Sequence, residues 1–415
     1  MTPPRLLRTG RSQKALIATA TATATALALV PIGVRAQTRA NLDVSVGGTA
    51  ASNPYLLNGS DTEAAGGNLT LAPSLTFLDG DTSVSLNGSV DLEKFADKYG
   101  LDESVQFGAK GEHRVNERTT ISADVGFRSS ESAARRFFGG ADLSELEPGE
   151  FPDSPVLDPT LGSINGRTSR IDVNASVEHL LSPNSALTAT AGMGLTKADS
   201  ASGEDFRNAN VVLNYSRQLT VRTSLLATID AGYADYLGRQ IGDGLFANGM
   251  AGVDHQFTES LHLSVQLGVS VAEVESLAGL KETSVSWAGN VDFCDRTARG
   301  ALCARASRST QPTSLGGLTT VNSVGVSYAR SFGPVSSVSA SATYSRTNRS
   351  LAAGFPLSSS HTELAAVSST YRHKLGERLS AYLTPSFTSI SDDFSGAREN
   401  YQVLLGISYH FGPVR

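Results

Sequence analysis

The sequence predicts an all-β chain: a transmembrane antiparallel β-barrel of about 16 strands, or 18, with short periplasmic turns and long external loops. Three observations predict it. Apolar residues recur at every second position over most of the chain, tight-turn signals recur at intervals near 38 residues, and the chain closes on an alternating aromatic strand. Of the 415 residues 40% are apolar and 18% charged, fewer of both than an average soluble domain carries. Scattered apolar residues in such a composition would mean disorder; alternating ones mean strands. No segment after residue 36 approaches the roughly 18 uninterrupted apolar residues of a membrane helix.

Residues 1–36 read as a cleaved signal peptide. Arg5, Arg8, Arg11 and Lys14 form a basic start, Ala15 to Val34 is apolar to small, and Val34-Arg35-Ala36 fits a small-residue cleavage site before Gln37. The barrel is expected over 37–415, without five of the 34 basic residues and with all 40 acidic ones. That acidic balance argues against nucleic-acid binding, and export argues against a cytosolic enzyme.

Alternation places strands at 41–51, 67–78, 82–93, 103–115, 119–130, 168–181, 185–197, 208–219, 223–235, 245–257, 261–273, 318–332, 336–347, 362–375, 379–390 and 400–411. In 261–271, for example, Leu261, Leu263, Val265, Leu267, Val269 and Val271 share one parity, against His262, Ser264, Gln266, Gly268 and Ser270 on the other. Strands of this length cross a bilayer when tilted. Tight turns near Gly80, Glu117, Pro183, Val221, Glu259, Pro334 and Glu377 fall on one side and longer connections on the other, which makes the count even and puts both ends in the periplasm. The strand-like stretch Thr283 to Phe293, around Trp287, either extends a neighbour or adds a hairpin to make 18. A β-sandwich explains the alternation less well, because sixteen strands would need two sandwiches and no linker divides the chain.

Cys294 and Cys303 lie nine positions apart after a secretory signal, so a disulfide stapling an external loop is expected. Closing so short a loop is worth about 3 kcal/mol on the chain-entropy model. Two long external connections stand out. Residues 131–167 carry Asp142, Glu145, Glu147, Glu150, Asp153 and Asp158, and are the expected plug; residues 274–317 carry the cysteines with Arg296, Arg299, Arg305 and Arg308.

On the inward parity fall Asp91, Lys110, Glu112, Asp124, Asp172, Glu178, Asp230 and Asp254 among Ser, Thr, Asn and Gly, which suggests a neutral-polar or mildly cation-favouring lumen. Inward aromatics are few, essentially Tyr236, Phe246 and Tyr382. Of the seven histidines, His113, His179, His255 and His373 fall on the lipid side close to periplasmic turns. Asp254 and His255 are adjacent in a strand and point to opposite faces, so they make no catalytic pair. No catalytic, cofactor or metal site is expected.

The last strand alternates Tyr401, Val403, Leu405, Ile407, Tyr409 and Phe411 with Gln402, Leu404, Gly406, Ser408 and His410. It resembles the strand by which barrel proteins are handed to the outer-membrane assembly machinery, with Gly412-Pro413-Val414-Arg415 following the terminal Phe. Asn53-Pro54-Tyr55, Leu71-Ala72-Pro73-Ser74-Leu75, the Asp79–Ser85 turn and strand, and this closing strand together resemble the β-barrel porin family of alphaproteobacterial exopolysaccharide (sphingan-type) secretion loci. The likeness covers the mature chain in layout and short patches in motif. It implies an outer-membrane channel of a Gram-negative bacterium in export or assembly of an exopolysaccharide. Its partners would be outer-membrane lipid, the assembly machinery, polysaccharide and periplasmic export components. The alternative is a general or uptake porin for small hydrophilic solutes.

Overall fold

The computed structural model describes residues 37–59, 61–130, 167–199, 205–237, 243–275, 281–312, 318–351, 361–392 and 396–413. The expected signal segment 1–36 and nearly all of the acidic connection 131–167 lie outside the described residues. Eighteen strands form one sheet. They are β1 Gln37–Ala51, β2 Ala64–Asp79, β3 Thr82–Phe95, β4 Leu101–Asn116, β5 Thr119–Ser130, β6 Thr168–Ser182, β7 Ser185–Ala198, β8 Phe206–Thr220 and β9 Thr223–Tyr236, followed by β10 Gly244–Gln256, β11 Leu261–Glu275, β12 Lys281–Thr297, β13 Gly300–Pro312, β14 Leu318–Ser331, β15 Ser336–Leu351, β16 His361–Lys374, β17 Leu379–Asp392 and β18 Gly396–Phe411. Each pairs antiparallel with its sequence neighbours. β1 also pairs with β18, from Leu42 opposite Phe411 to Ala51 opposite Gln402, so the sheet closes on itself.

Sixteen of these strands coincide with the alternation pattern to within a few residues. The other two, β12 and β13, make the count 18. The segment around Trp287 is the first arm of a true hairpin, and the second arm, Gly300–Pro312, alternates too weakly to be read: its outward positions Leu302, Ala304, Ala306 and Arg308 are mostly small or charged.

The outer face shows where the membrane sits. Beside the tight turns, hydroxyls that open a strand meet histidines of the next: Thr82 with Nδ1 of His113 at 2.9 Å, Thr119 with His179 at 3.0 Å, Thr223 with His255 at 2.9 Å and Ser336 with His373 at 2.9 Å. Arg217, Asp295, Arg330 and Tyr409 take the equivalent place in the remaining hairpins. Toward the opposite end stand outward charges in pairs: Glu103 with Arg167 at 3.4 Å, Arg207 with Asp235 at 2.5 Å and Arg346 with Glu363 at 3.5 Å.

The two rows are ten residues apart on β4 (His113, Glu103), β8 (Arg217, Arg207) and β16 (His373, Glu363). Ten residues at about 3.3 Å each, inclined by about 40°, rise about 25 Å, the height of an outer-membrane apolar band. Between the rows the outward side chains are apolar and exposed, as at Val125, Val173, Leu267, Leu405 and Ile407. This chain is an outer-membrane β-barrel. Charge on the lipid face should therefore be costly: Leu267→Arg should lower refolding stability in lipid by about 2–4 kcal/mol, whereas Thr188→Arg on the inner face should leave it nearly unchanged, read from urea titrations of the folded, heat-modifiable band.

Candidate functional site: the lumen and its inner hairpin

Among the described residues the wall folds inward between β12 and β13. β12 and β13 pair only from Thr297 opposite Gly300 to Gly289 opposite Arg308. Above that level β12 continues to Lys281 bonded to β11 alone, while Ser309–Pro312 of β13 continue bonded to β14 alone. The freed end of the β13–β14 hairpin turns into the lumen and crosses behind β12 and β11 to reach β10. There the Asn248 amide donates to the Thr310 carbonyl at 3.5 Å, and Leu318 packs against Phe246, Ala272 and Val274.

The local sequence permits this. Continuing the β12–β13 register would set Pro312 opposite Val285, and Pro312 has no N–H to give. The inner face of β11 and β12 under the hairpin is built of small residues, Ser270, Ala272 and Ala288, all buried. Gly244 lies close beneath Leu318, whose Cγ would stand 3.1 Å from a Cβ at that position. The outward-parity residues Thr310, Leu318 and Thr320 thus become the contact face of a second layer. Among the described residues this hairpin is an inward element; the acidic connection 131–167 expected to plug the pore lies, apart from Arg167, outside them.

Other aromatic packing narrows the same end. Phe206 lies 5.6 Å from Tyr236, and Tyr55 lies 4.6 Å from Tyr99 and 6.2 Å from Phe95. Asn53 fixes the first connection by a reciprocal pair with Leu57: its Nδ2 donates to the Leu57 carbonyl and its Oδ1 accepts the Leu57 amide. The fold of this turn buries Leu56 completely at φ 49. Asp61 of this connection accepts from Lys98 of the β3–β4 connection, and that hydrogen bond holds the Lys98 ammonium above its ordinary pKa.

The expected inward aromatics are where alternation puts them, Tyr236 against Phe206 and the other two seated on glycine. A Cβ at Gly406 would stand 2.5 Å from the Tyr382 hydroxyl, and one at Gly232 would stand 2.5 Å from the Phe246 ring. Each ring fills the space its glycine leaves on the neighbouring strand. They are part of the wall.

All eight expected charges lie on the inner face. Thr70 donates to Asp91 at 2.7 Å, Lys110 sits opposite Asp124, Asn174 donates to Asp124 at 2.9 Å, and Arg170 holds Asp172 at 2.7 Å. Asn248 donates to Asp230 at 3.2 Å, and Asp254 meets Nε2 of His262 at 2.5 Å. Glu112 and Glu178 lie opposite serines and threonines. These groups spread around the wall and form no single cluster. The same face carries basic residues that the acid-weighted reading passed over, among them Arg128, Arg170, Arg305 and Arg372.

Two His–Asp pairs face the lumen: His262 with Asp254, and His410 Nδ1 with Asp43 at 2.8 Å. Neither histidine makes a described hydrogen bond to a serine, threonine or cysteine that could serve as nucleophile. Among the described residues no group of three or more His, Cys, Asp or Glu could hold a metal.

The cysteines form a disulfide, and its place corrects the sequence expectation. Cys294 and Cys303 are directly opposite on β12 and β13, Cα atoms 4.1 Å apart, three residues from the tight turn and buried on the inner face. The bond staples a wall hairpin at the periplasmic end, not an external loop. For the same reason the arginines of 274–317 do not form a basic mouth: Arg305 pairs with Asp292 inside, and Arg308 points outward.

No family model matches the chain, and no curated protein matches it. Among solved structures it is similar to Pseudomonas aeruginosa OpdO (13% identity, TM-score 0.47, covering 91% of this chain and 97% of that one). It is likewise similar to Pseudomonas aeruginosa OpdL (13%, 0.44, 91% and 99%) and to the siderophore receptor PirA of the same organism (11%, 0.44, 91% and 81%). At these identities and scores the likeness carries no statement about function.

Because the disulfide ties strands that are already paired, its removal should cost no more than the chain-entropy value. The double variant Cys294→Ala/Cys303→Ala should still give a heat-modifiable barrel, with refolding stability lower by at most about 3 kcal/mol, measured by urea titration in lipid.

Proposed function

We propose that this protein is a non-catalytic outer-membrane channel for hydroxyl-rich hydrophilic cargo, whose aperture is set by the β13–β14 hairpin. The observation that carries the reading is the polar inner wall of a closed 18-stranded barrel with one hairpin folded into it. An 18-strand cylinder is too wide for its own side chains to fill. Its described wall between β5 and β10 presents Asp124, Asn174, Asn210, Asp230 and Asn248, groups that can exchange hydrogen bonds with sugars or water. Arginines on the same face offset part of the acidic charge, so selectivity for small ions should be modest and toward cations.

Export or assembly of an exopolysaccharide is the cargo we favour, on the resemblance carried by Asn53-Pro54-Tyr55, Leu71–Leu75 and the closing strand. Within that motif Asn53 organises the connection that folds over the barrel end, and its amide donates to Oδ1 of Asn400 on β18 at 2.9 Å. A deletion strain should lose secreted polysaccharide while uptake of small sugars stays normal. The opposite pattern would assign an uptake porin.

Purified protein in planar bilayers should conduct. Joining Arg308 to Asn322, which face each other across β13 and β14, by an Asn-Gly turn removes the infolded part and should raise conductance severalfold with the barrel still heat-modifiable. Absence of conductance in both forms would make the barrel a closed scaffold.

The closing strand is proposed as the assembly signal. Its residues Tyr401, Val403, Leu405, Ile407, Tyr409 and Phe411 all face outward. Phe411→Ala should lower outer-membrane levels while export to the periplasm continues, checked by fractionation.

A further inference from the structure

Folding the β13–β14 hairpin inward leaves a slit in the wall on the membrane side. By the register of the paired part, Trp287 would face Thr310 and Val285 would face Pro312. Both partners have left for the lumen, where the Thr310 carbonyl takes the Asn248 amide. The Trp287 carbonyl points toward the vacated side, because Nε of Arg308 donates to it at 3.1 Å. In a strand successive residues direct their N–H and C=O to alternate edges. The amide of Trp287 and both backbone groups of Val285 therefore also face the slit, with no strand partner among the described residues.

The depth of the slit follows from the two outer rows. On β11 and β12 the external row is reached at Val271 and Val285, ten residues above Leu261 and Asp295. Gly289, where pairing stops, lies four residues below it, or about 10 Å at the strand rise and inclination used above. The slit thus spans the outer part of the apolar band, where a backbone without partners is most costly.

Arg308 stands at its lower end. It lies eight residues above Gly300, two short of the external row, and is the charged outward residue within the band among the described residues. Its guanidinium stacks on the Trp287 ring at 4.7 Å and donates to Asn322 Oδ1 at 2.6 Å. A cation at this depth, beside backbone donors that lack partners, suits an occupant with an anionic, hydrogen-bonding head and apolar chains that remain in the bilayer.

We propose that the slit between β12 and β13 is a binding site, opening on the outer leaflet, for the headgroup of an anionic lipid. The site rests on the membrane placement of the barrel and is independent of what the lumen carries. Val285 and Trp287 supply backbone groups from one edge, Arg308 supplies the charge, the Trp287 carbonyl and ring hold its guanidinium at the slit, and Asn322 on β14 takes one N–H from the other side.

Trp287 is the only tryptophan in the chain, so its fluorescence reports this site alone. Barrel inserted in vesicles should be quenched by brominated phosphatidylglycerol at about fivefold lower mole fraction than by brominated phosphatidylcholine, the factor one basic residue contributes at a membrane surface. Arg308→Gln should abolish the preference while both lipids still quench, and Arg308→Lys should retain most of it. Arg207→Gln, in the external row elsewhere on the barrel, should leave it intact, and millimolar inorganic phosphate should not compete.

Equal quenching by the two lipids in the native protein overturns the site, and that result stands even if the Gln variant fails to insert. A preference that survives Arg308→Gln, or falls equally with Arg207→Gln, reduces it to general surface charge and also overturns it. Competition by free phosphate would assign the site to a soluble anion instead. A native protein that does not insert at all, shown by absent heat-modifiable mobility, overturns the membrane placement and this site with it, and is told apart from failure of the site alone by that mobility.

Discussion

Every backbone N–H and C=O that enters a bilayer must find a partner within the protein, and this requirement organises the molecule from the first strand to the last. β1 bonds to β2 on one edge and β18 on the other, so even the first and last strands meet within the sheet. Once the wall is closed, alternation decides the rest. One parity must satisfy lipid and the other water, which is why Leu261–Val271 and Tyr401–Phe411 are apolar on one side and, Leu404 apart, polar or small on the other. The interfacial rows follow from the same division: His113, His179, His255 and His373 each keep a ring nitrogen on a hydroxyl where the apolar band ends.

The inner hairpin is a local departure from that rule, and the compensation for it can be traced. Thr310 finds Asn248 in place of Trp287, and the Trp287 carbonyl finds Arg308 in place of Thr310. Leu318, which would have faced lipid, finds Phe246, Ala272 and Val274. The second layer has room because the wall behind it is made of Ser270, Ala272 and Ala288. Larger inward residues there would force the hairpin back into the wall, where Pro312 could not complete the ladder. Size on one pair of strands and a missing donor on another thus specify the same geometry.

Much of the wall was legible in the sequence because a period of two is a strong signal when one face meets hydrocarbon. The limits are visible in β12 and β13. The outward face of β13 holds Ala304, Ala306 and Arg308, too small or too polar to register, so the arm was absorbed into a loop and the disulfide with it. Cys294 and Cys303 looked like a loop staple because their spacing is the same in a loop and in a hairpin; only the register of the flanking strands tells them apart. The lumen is legible in the same uneven way. Parity marks its acids, whereas Arg305 lies in a stretch whose pattern resembles an external connection, and nothing in the spacing pairs it with Asp292.

The candidate aperture was out of reach for a different reason. A hairpin that folds into a lumen keeps the alternation it would have in the wall, since Thr310, Leu318 and Thr320 occupy the lipid-facing parity in either arrangement. What differs is their partner, a protein layer instead of an acyl chain, and hydropathy treats the two alike. The marks that distinguish them are Pro312, the small residues of β11 and β12, and a charged outward side chain at Arg308, each unremarkable alone. Their agreement at one height of the barrel, with Pro312, Val285 and Trp287 in one register, makes the inward fold and the slit beside it a single structural consequence.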